Sequence, residues 1–406
     1  MPRRPPEHPV ASMDELLATR EIVVTCGSGG VGKTTSAAAL AAMAALRHRG
    51  NVLVLTVDPA RRLASALGLS GLGNQATRVP AEAFAAVGAR PRGQLWAGML
   101  DTKQSWDALV RRHAPDAVTT ARILENPLYQ NISGKFVQSH DYIAMERLYE
   151  LHSEGAYDLI VVDTPPTRNA LDFIEAPQRM AEFFSSRLLR MLTVPYRSRL
   201  INVASRPFYQ VADRILGSQF LQDIAEFFLL FQTMSTGFVE RAQAVERLIA
   251  DRRTTFVVVS TLEAASVREA EFFLEVLAAK RFHLGALVLN KVLPDYLLDA
   301  GALERAEHLG AVAGEVALTL PQLGDTDQVE RVLREVGGNF RNFATVARRE
   351  ALQRAELAGS PEVLVTVPEL DDDIHDIGGL LGLGERLWGP GPSGQAPEAP
   401  GAGVQH

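Results

Sequence analysis

The sequence predicts an α/β fold in which a mostly parallel central sheet is flanked by helices. Short runs rich in β-branched residues alternate with longer stretches that have the composition of helices. Several of these runs are apolar at consecutive positions, as strands buried on both faces of a sheet are. Strands that alternate with helices form a parallel sheet, because each connection crosses back over the sheet through a helix.

Seven runs predict the strands in chain order. They cover residues 22–25, 52–57, 95–100, 159–162, 255–260, 286–289 and 363–367. The alternation is interrupted from about residue 170 to 250, where no run has the character of a strand and phenylalanine is concentrated. This segment is predicted to be a helical subdomain inserted into one domain over residues 18–388. Tails at 1–17 and 389–406 are predicted to be disordered, since they have little apolar surface to bury.

Composition limits the chemistry of the chain. Its 406 residues carry a formal charge of −7, which gives no general footprint for nucleic acid, so no such partner is expected. The single cysteine, Cys26, leaves no ligand set for an iron–sulfur cluster or for a zinc site built on a cysteine pair. Without a disulfide pair or an apolar leader, a cytoplasmic location is expected, and peripheral association with a membrane stays open.

A phosphate-binding loop follows the first predicted strand. The segment Gly27, Ser28, Gly29, Gly30, Val31, Gly32, Lys33, Thr34 matches the pattern G-x-x-x-x-G-K-[ST] between a strand and a helix. The glycines let backbone N–H groups turn toward phosphate oxygens, and the following helix directs its positive end at the same point. Lys33 is predicted to bind the β- and γ-phosphates and the Thr34 hydroxyl to bind Mg²⁺. Together with Thr35, these residues are the predicted nucleotide-binding segment.

Two aspartates complete the predicted site. Asp58 follows the second strand and Asp163 ends the fourth, so both are expected at the carboxyl edge of the sheet, beside the loop. Asp163 is predicted to hold Mg²⁺ through its water shell, as a Walker-B aspartate does. Asp58 and Lys33 are the predicted catalytic residues, with Asp58 orienting the attacking water. A lone aspartate at a strand end is more often a turn former, but two of them beside a phosphate loop favour catalysis.

Four segments in order resemble the arsenical-pump (ArsA-like) ATPase family, which has a deviant Walker A phosphate loop. The segments are the loop itself, V-D-P-A at 57–60, D-T-P-P-T at 163–167 and N-K-V-L-P at 290–294. The likeness extends over nearly all of residues 20–388. Actinobacterial members described as anion-transporting ATPases look most similar, and the family includes the ATPases that guide tail-anchored membrane proteins.

The resemblance implies a dimer that binds ATP with Mg²⁺ at the subunit interface, formed by two copies of this chain or with an ArsA-like paralogue. It implies that Asp58 lies in switch I and that Asp163, Thr164, Pro165, Pro166 and Thr167 form switch II. Asn290 would read adenine, and Leu293 stands where a GTPase-type N-K-x-D would need aspartate, so ATP is favoured over GTP. The helical insertion would correspond to the subdomain that binds hydrophobic clients or membrane-protein partners.

Ser28 departs from the family pattern. The family has a signature lysine at this position that reaches the partner's phosphates, and a serine hydroxyl supplies no such charge. One hypothesis is that the protein hydrolyses ATP slowly alone, or works with a paralogue that keeps the lysine. The other is that Arg61 or Arg168 supplies the charge instead. With one cysteine, a thiol clamp and an arsenite site cannot be carried over from the family.

The predicted function is ATP hydrolysis by a dimer whose nucleotide state controls the binding of a client or partner protein. One alternative is an assembly subunit that binds ATP with little hydrolysis of its own. Another is a partitioning or membrane-oscillating ATPase of the same superclass, although the Gly- and Pro-rich C-terminal tail lacks the basic patch or amphipathic helix of such proteins. For the Phe-rich helices, a client groove and an ordinary core are both left open.

Overall fold

A computed structural model describes residues 12–57, 62–132, 139–165, 175–179, 182, 226–357, 361–370 and 372–388. The strands are β1 (Ile22–Cys26), β2 (Asn51–Thr56), β3 (Thr77–Arg78), β4 (Gln94–Met99), β5 (Leu159–Asp163), β6 (Thr254–Ser260), β7 (Leu284–Val292) and β8 (Val363–Pro368). They form one sheet in the order β3-β4-β2-β5-β1-β6-β7-β8. Every neighbouring pair is parallel except β3 with β4. The predicted α/β fold with a mostly parallel sheet is confirmed.

Helices connect most of these strands. They are α1 (Met13–Thr19), α2 (Lys33–Arg47), α3 (Arg62–Ala66), α4 (Ala81–Ala85), α5 (Thr102–His113), α6 (Ala117–Glu125), α7 (Pro127–Ile132), α8 (Ser139–Glu154), α9 (Ser235–Ala250), α10 (Ala264–Ala279), α11 (Ala300–Ala311), α12 (Ala313–Leu318), α13 (Thr326–Leu357) and α14 (Ile377–Trp388). Short 3-10 turns lie at Asp295–Leu298 and Pro321–Leu323.

The sheet separates two hydrophobic cores. Side chains of a strand alternate between its faces, so Val24 of β1 packs into one core and Val23 into the other. The first core contains side chains of α5, α8, α9 and α10. The second contains α1, α2 and α14, and in it α2 is buried along nearly its whole length. This arrangement places the loop between β1 and α2 near the middle of the sheet's carboxyl edge.

Two features differ from the sequence prediction. The edge strand β3 was not predicted, because its two exposed residues have no apolar pattern and are held only by antiparallel pairing with β4. The N-terminal tail predicted over residues 1–17 overlaps α1. Met13, Leu16 and Leu17 are at most 1% exposed, and the Ser12 hydroxyl accepts a hydrogen bond from the Glu15 backbone N–H at 3.2 Å. A capped helix with a buried apolar face is ordered structure, so the prediction was wrong for residues 12–17.

The predicted helical insertion is described only in part. Residues 175–179 and 226–250 are mostly helical, and the rest of the segment, like the predicted tail at 389–406, lies outside the described residues. Across the described ranges, none of the helices combines the length and the hydropathy that crossing a bilayer requires.

Candidate nucleotide-binding site

The loop from Gly27 to Gly32 joins the end of β1 to the start of α2. A Cβ built at Gly27 would lie 2.2 Å from the backbone oxygen of Val259 in β6. Gly32 has φ +91°, and a Cβ there would lie 2.3 Å from Nδ2 of Asn290. At Gly27 a side chain would meet the backbone of β6 and push the loop away from it, whereas at Gly32 the positive φ is what favours glycine. The packing fixes the path of the loop across the carboxyl edge of the sheet.

The start of α2 fits a bound phosphate group. Its N-cap residue is Gly32, which offers no side chain to the first amide groups, and the first turn carries no acidic residue. The free N–H groups and the positive end of the helix dipole are therefore left for an anion. Gly30 is exposed, and nothing lies within 4 Å of a Cβ built on it. The loop thus has both the donors and the open space that a triphosphate needs.

Lys33 is buried against the end of β5. Its Nζ lies 3.2 Å from Oδ1 of Asp163, with the two side chains 5% and 0% exposed. Nζ also donates a hydrogen bond to the carbonyl oxygen of Thr164. A buried ammonium is tolerated because it is paired with a carboxylate. The structure therefore joins the predicted phosphate-binding lysine to the predicted magnesium-binding aspartate and to the first residue beyond it.

Two threonines that the sequence did not single out complete this polar cluster. Thr25 of β1 and Thr56 of β2 are both in register with Asp163, one on either side. The Thr56 hydroxyl donates to Oδ2 of Asp163 at 3.0 Å. The Thr164 hydroxyl donates to the Thr25 carbonyl at 2.9 Å. Both oxygens of Asp163 are thereby occupied, which fixes the direction of its carboxylate. The only sequence signal was a polar residue near the end of an otherwise apolar strand.

Asn290 lies in β7 beside the phosphate loop. Its Nδ2 donates to the backbone oxygen of Val31 at 2.8 Å, and the side chain is half-buried. The amide group has a second hydrogen and an acceptor oxygen, so adenine recognition by this side chain stays a prediction. The observed hydrogen bond adds a role that was not predicted, because it ties β7 directly to the loop.

Ser28 is half-buried, and its hydroxyl lies 3.4 Å from the hydroxyl of Ser266 in the first turn of α10. Nothing in the sequence marked Ser266 as a neighbour of the loop. Ser28, the position that the resemblance compares with a signature lysine, therefore makes a weak contact between two small polar side chains.

The remaining predicted residues are placed as follows. Thr34 and Thr35 are half-buried in the first turn of α2, Pro165 is half-buried after β5, and Gly29 is exposed in the loop. Asp58, Pro166 and Thr167 lie outside the described residues, as do Arg61 and Arg168. The catalytic roles of Asp58 and Lys33, the nucleotide and metal contacts, and the assignment of residues 163–167 to switch II all stay predictions.

Cys26 is the last residue of β1 and is 3% exposed beneath the loop. Burial raises the pKa of its thiol to about 12, although the Lys33 ammonium nearby opposes the shift. A thiol with so high a pKa is a packing residue at neutral pH, since the thiolate is the reactive form.

Part of the Phe-rich segment is ordinary core. Phe227, Phe231 and Phe238 are at most 7% exposed, and the ring centroid of Trp106 lies 6.0 Å from that of Phe231 and 6.1 Å from that of Phe238. Met234 is likewise buried. These side chains fill the core between α5, α8 and α9, so they line no open groove.

A parallel sheet, a glycine loop between β1 and α2, and a loop lysine paired with a strand-end aspartate define a P-loop nucleotide-binding protein. The sequence profile of the family described as anion-transporting ATPase matches residues 20–310. The chain therefore belongs to this family, and the resemblance seen in the four segments is confirmed.

Individual relatives are distant. A Chlorobaculum tepidum protein provisionally named arsenical pump-driving ATPase is 26% identical over 292 residues, which cover 70% of this chain and 64% of that protein. The Paramecium tetraurelia protein ATPase ASNA1 homolog 1 is 27% identical over 274 residues, 66% of this chain and 74% of the relative. The Lodderomyces elongisporus protein ATPase GET3 is 23% identical over 276 residues, 66% of this chain and 71% of the relative. The match thus spans less than two thirds of the Chlorobaculum protein.

Proposed function

We propose that this protein binds and hydrolyses ATP as a dimer and that its nucleotide state controls the binding of a client or partner protein. The observation that carries the proposal is the buried contact of Lys33 with Asp163 and Thr164. Bound phosphates draw the Lys33 ammonium toward the loop. Asp163 and Thr164, the first residues of switch II, then lose part of their contact with Lys33. Nucleotide binding therefore changes the contacts of the residues at the end of β5.

The proposed reaction is in-line attack of water on the γ-phosphate of ATP, which breaks the bond to the β-phosphate and releases ADP and inorganic phosphate. Lys33 stabilises charge on the β- and γ-phosphate oxygens, and the N–H groups of the loop and of the start of α2 hold the phosphates in place. Asp58 orients the water. Mg²⁺, when bound, neutralises phosphate charge, and Thr34 and Asp163 are the residues proposed to hold it.

The partner in the dimer is a second copy or a paralogue, and the client is a hydrophobic or membrane-protein segment. Support comes from membership of a family whose relatives include proteins named ATPase GET3 and ATPase ASNA1 homolog. We place the protein in the cytoplasm, with contact to a membrane made through its clients. A pull-down with the ATP-bound Asp58→Asn variant, followed by mass spectrometry, identifies the partner.

The enzymatic part of the proposal is tested by Asp58→Asn. Wild type is expected to release phosphate at steady state, whereas Asp58→Asn binds ATP with little change in affinity and turns over at least about a hundredfold more slowly, because the attacking water is no longer oriented. Asp325→Asn, a charge loss at an exposed position, is the matched control and is expected to behave as wild type. Equal turnover in wild type and Asp58→Asn would contradict hydrolysis at this site.

Ser28 favours a second candidate, an ATP-binding assembly subunit that hydrolyses slowly unless a paralogue supplies the missing lysine. Ser28→Lys is then expected to raise the turnover of the isolated protein at least about tenfold, since a cation in trans stabilises the transition state. Ser28→Ala is the control for loss of the contact with Ser266. Unchanged turnover in Ser28→Lys, with a loss of activity in Arg61→Ala or Arg168→Ala, would favour the arginine hypothesis instead.

A further inference from the structure

Helix α13 has two different faces. One face packs against α11, and a Cβ built at Gly337 would lie only 2.6 Å from the backbone oxygen of Ala306. The neighbouring face carries Val332, Val336, Phe343 and Val346, whose exposed fractions lie between 44% and 53%. Large apolar side chains grouped on one face of a surface helix are typical of an interaction site.

Together with the polar residue Asn339, these four apolar residues follow a heptad pattern. Val332, Val336, Asn339, Phe343 and Val346 are separated by alternating steps of four and three residues, and all five are exposed. That spacing gives the narrow stripe of a coiled coil. We call these five residues the seam. It ends where Glu350 turns toward the domain, since Glu350 Oε2 accepts a hydrogen bond from the Leu293 N–H at 3.1 Å.

Two opposite charges flank the seam on the same side. Glu335 and Arg349 are both exposed, are two heptads apart, and occupy equivalent positions next to the stripe. In an antiparallel pair of identical helices, such positions face each other across the two-fold axis. Each Glu335 would then meet an Arg349, which gives two ion pairs. In a parallel pair, Arg349 would instead lie beside Arg354, with like charges opposed.

We propose that the seam of α13 is a docking surface for a second copy of this chain, with the two α13 helices packed antiparallel. The two-fold axis passes near residue 341, which places Val336 against the partner's Val346 and Asn339 against the partner's Phe343. Charge complementarity between Glu335 and the partner's Arg349 sets this register. The surface lies on the segment between β7 and β8 and uses no residue of the phosphate loop, so the pairing is independent of nucleotide and of hydrolysis.

Cross-linking tests the direction of the pairing. Asn342→Cys puts a thiol next to the two-fold axis, whereas Val332→Cys puts thiols about 27 Å apart in the antiparallel dimer, at a rise of about 1.5 Å per residue. Cys26 is buried and does not compete. A short bis-maleimide is expected to join Asn342→Cys protomers and to leave Val332→Cys protomers unjoined, with or without ATP. Joining at position 332, or at neither position, would overturn the proposal.

A charge swap tests the register by sedimentation equilibrium without nucleotide. Glu335→Arg is expected to raise the dissociation constant about tenfold, and adding Arg349→Glu to the same chain is expected to restore it. Arg341→Glu, an exposed charge reversal away from the seam, is the matched control. Phe343→Ser removes an apolar anchor from both copies and is expected to raise the constant on the order of a hundredfold. A double variant no tighter than Glu335→Arg alone would overturn the register.

Discussion

Replacing Lys33 by alanine is expected to abolish ATP turnover and to weaken the fold at the same time. The variant removes the cation proposed to bind the β- and γ-phosphates, so turnover should fall by about a thousandfold or more. It also leaves the carboxylate of Asp163, which is fully buried, with Thr56 but without a cationic partner. Breaking one side of a buried ion pair costs about 3–5 kcal/mol. Phosphate release and urea unfolding measure the two effects.

A second substitution separates the loss of turnover from the loss of stability. Lys33→Met combined with Asp163→Asn removes both charges and leaves similar volumes, so most of the lost stability is expected to return while turnover stays at background. Lys103→Ala is the control, because Lys103 is exposed and its ion pair with the half-buried Asp107, at 3.2 Å, lies near the surface. If the double variant unfolds as readily as Lys33→Ala, the buried pair is not the cause of the instability. If Lys33→Ala keeps wild-type turnover, the proposed site is wrong.

Gly27→Ala is expected to remove ATP binding although the change adds one methyl group. The new Cβ would lie 2.2 Å from the Val259 backbone oxygen and 3.1 Å from Cγ2 of Val31. A backbone oxygen cannot rotate away, so the loop must leave β6, and its N–H groups no longer converge on the phosphates. We expect at least a hundredfold loss of affinity, since roughly 3 kcal/mol follows from misplacing several donors, and a stability loss of about 1–3 kcal/mol.

Gly30→Ala is the matched control within the same loop. Gly30 has φ +82° but open space around its Cβ position, so alanine there costs about 1–2 kcal/mol of backbone strain without a collision. Calorimetric titration with ATP and urea unfolding are measured on both variants. If Gly27→Ala binds ATP no more weakly than Gly30→Ala, the close packing of the loop on β6 is not what positions its donors.

Buried strands were the most predictable part of the fold. All seven predicted strands are present, with ends displaced by up to three residues. Strands β1, β5 and β6 are buried at every residue, and a strand covered on both faces must be apolar at consecutive positions. The antiparallel edge strand β3 has no such constraint, since both of its residues are exposed. Helix α1 was assigned to a tail because the arginines and prolines before it dominate the composition, while its few buried residues form a pattern too short to stand out.

The site was predictable where local spacing defines it and not where strands bring distant residues together. The loop from Gly27 to Thr34 is a continuous motif, and Asp163 follows from its place at the end of a strand. Thr56 and Ser266 reach the site from other elements, Thr56 through strand register and Ser266 through the packing of α10. No local sequence pattern predicts such contacts, because they depend on the order of the strands in the sheet and on how the helices pack against it.

The packing of helix α2 also determines how firmly the phosphate loop is held. Residues 37–45 of this helix are at most 1% exposed, and all but Leu40 and Met43 are alanine. A Cβ built at Gly384 of α14 would lie 2.1 Å from Cγ of Met43, so the Met43 side chain packs directly on the backbone of α14. Tightly packed small side chains leave no room to slide or rotate. The start of α2 is therefore fixed in the core, and the phosphate loop that leads into it is anchored at that end.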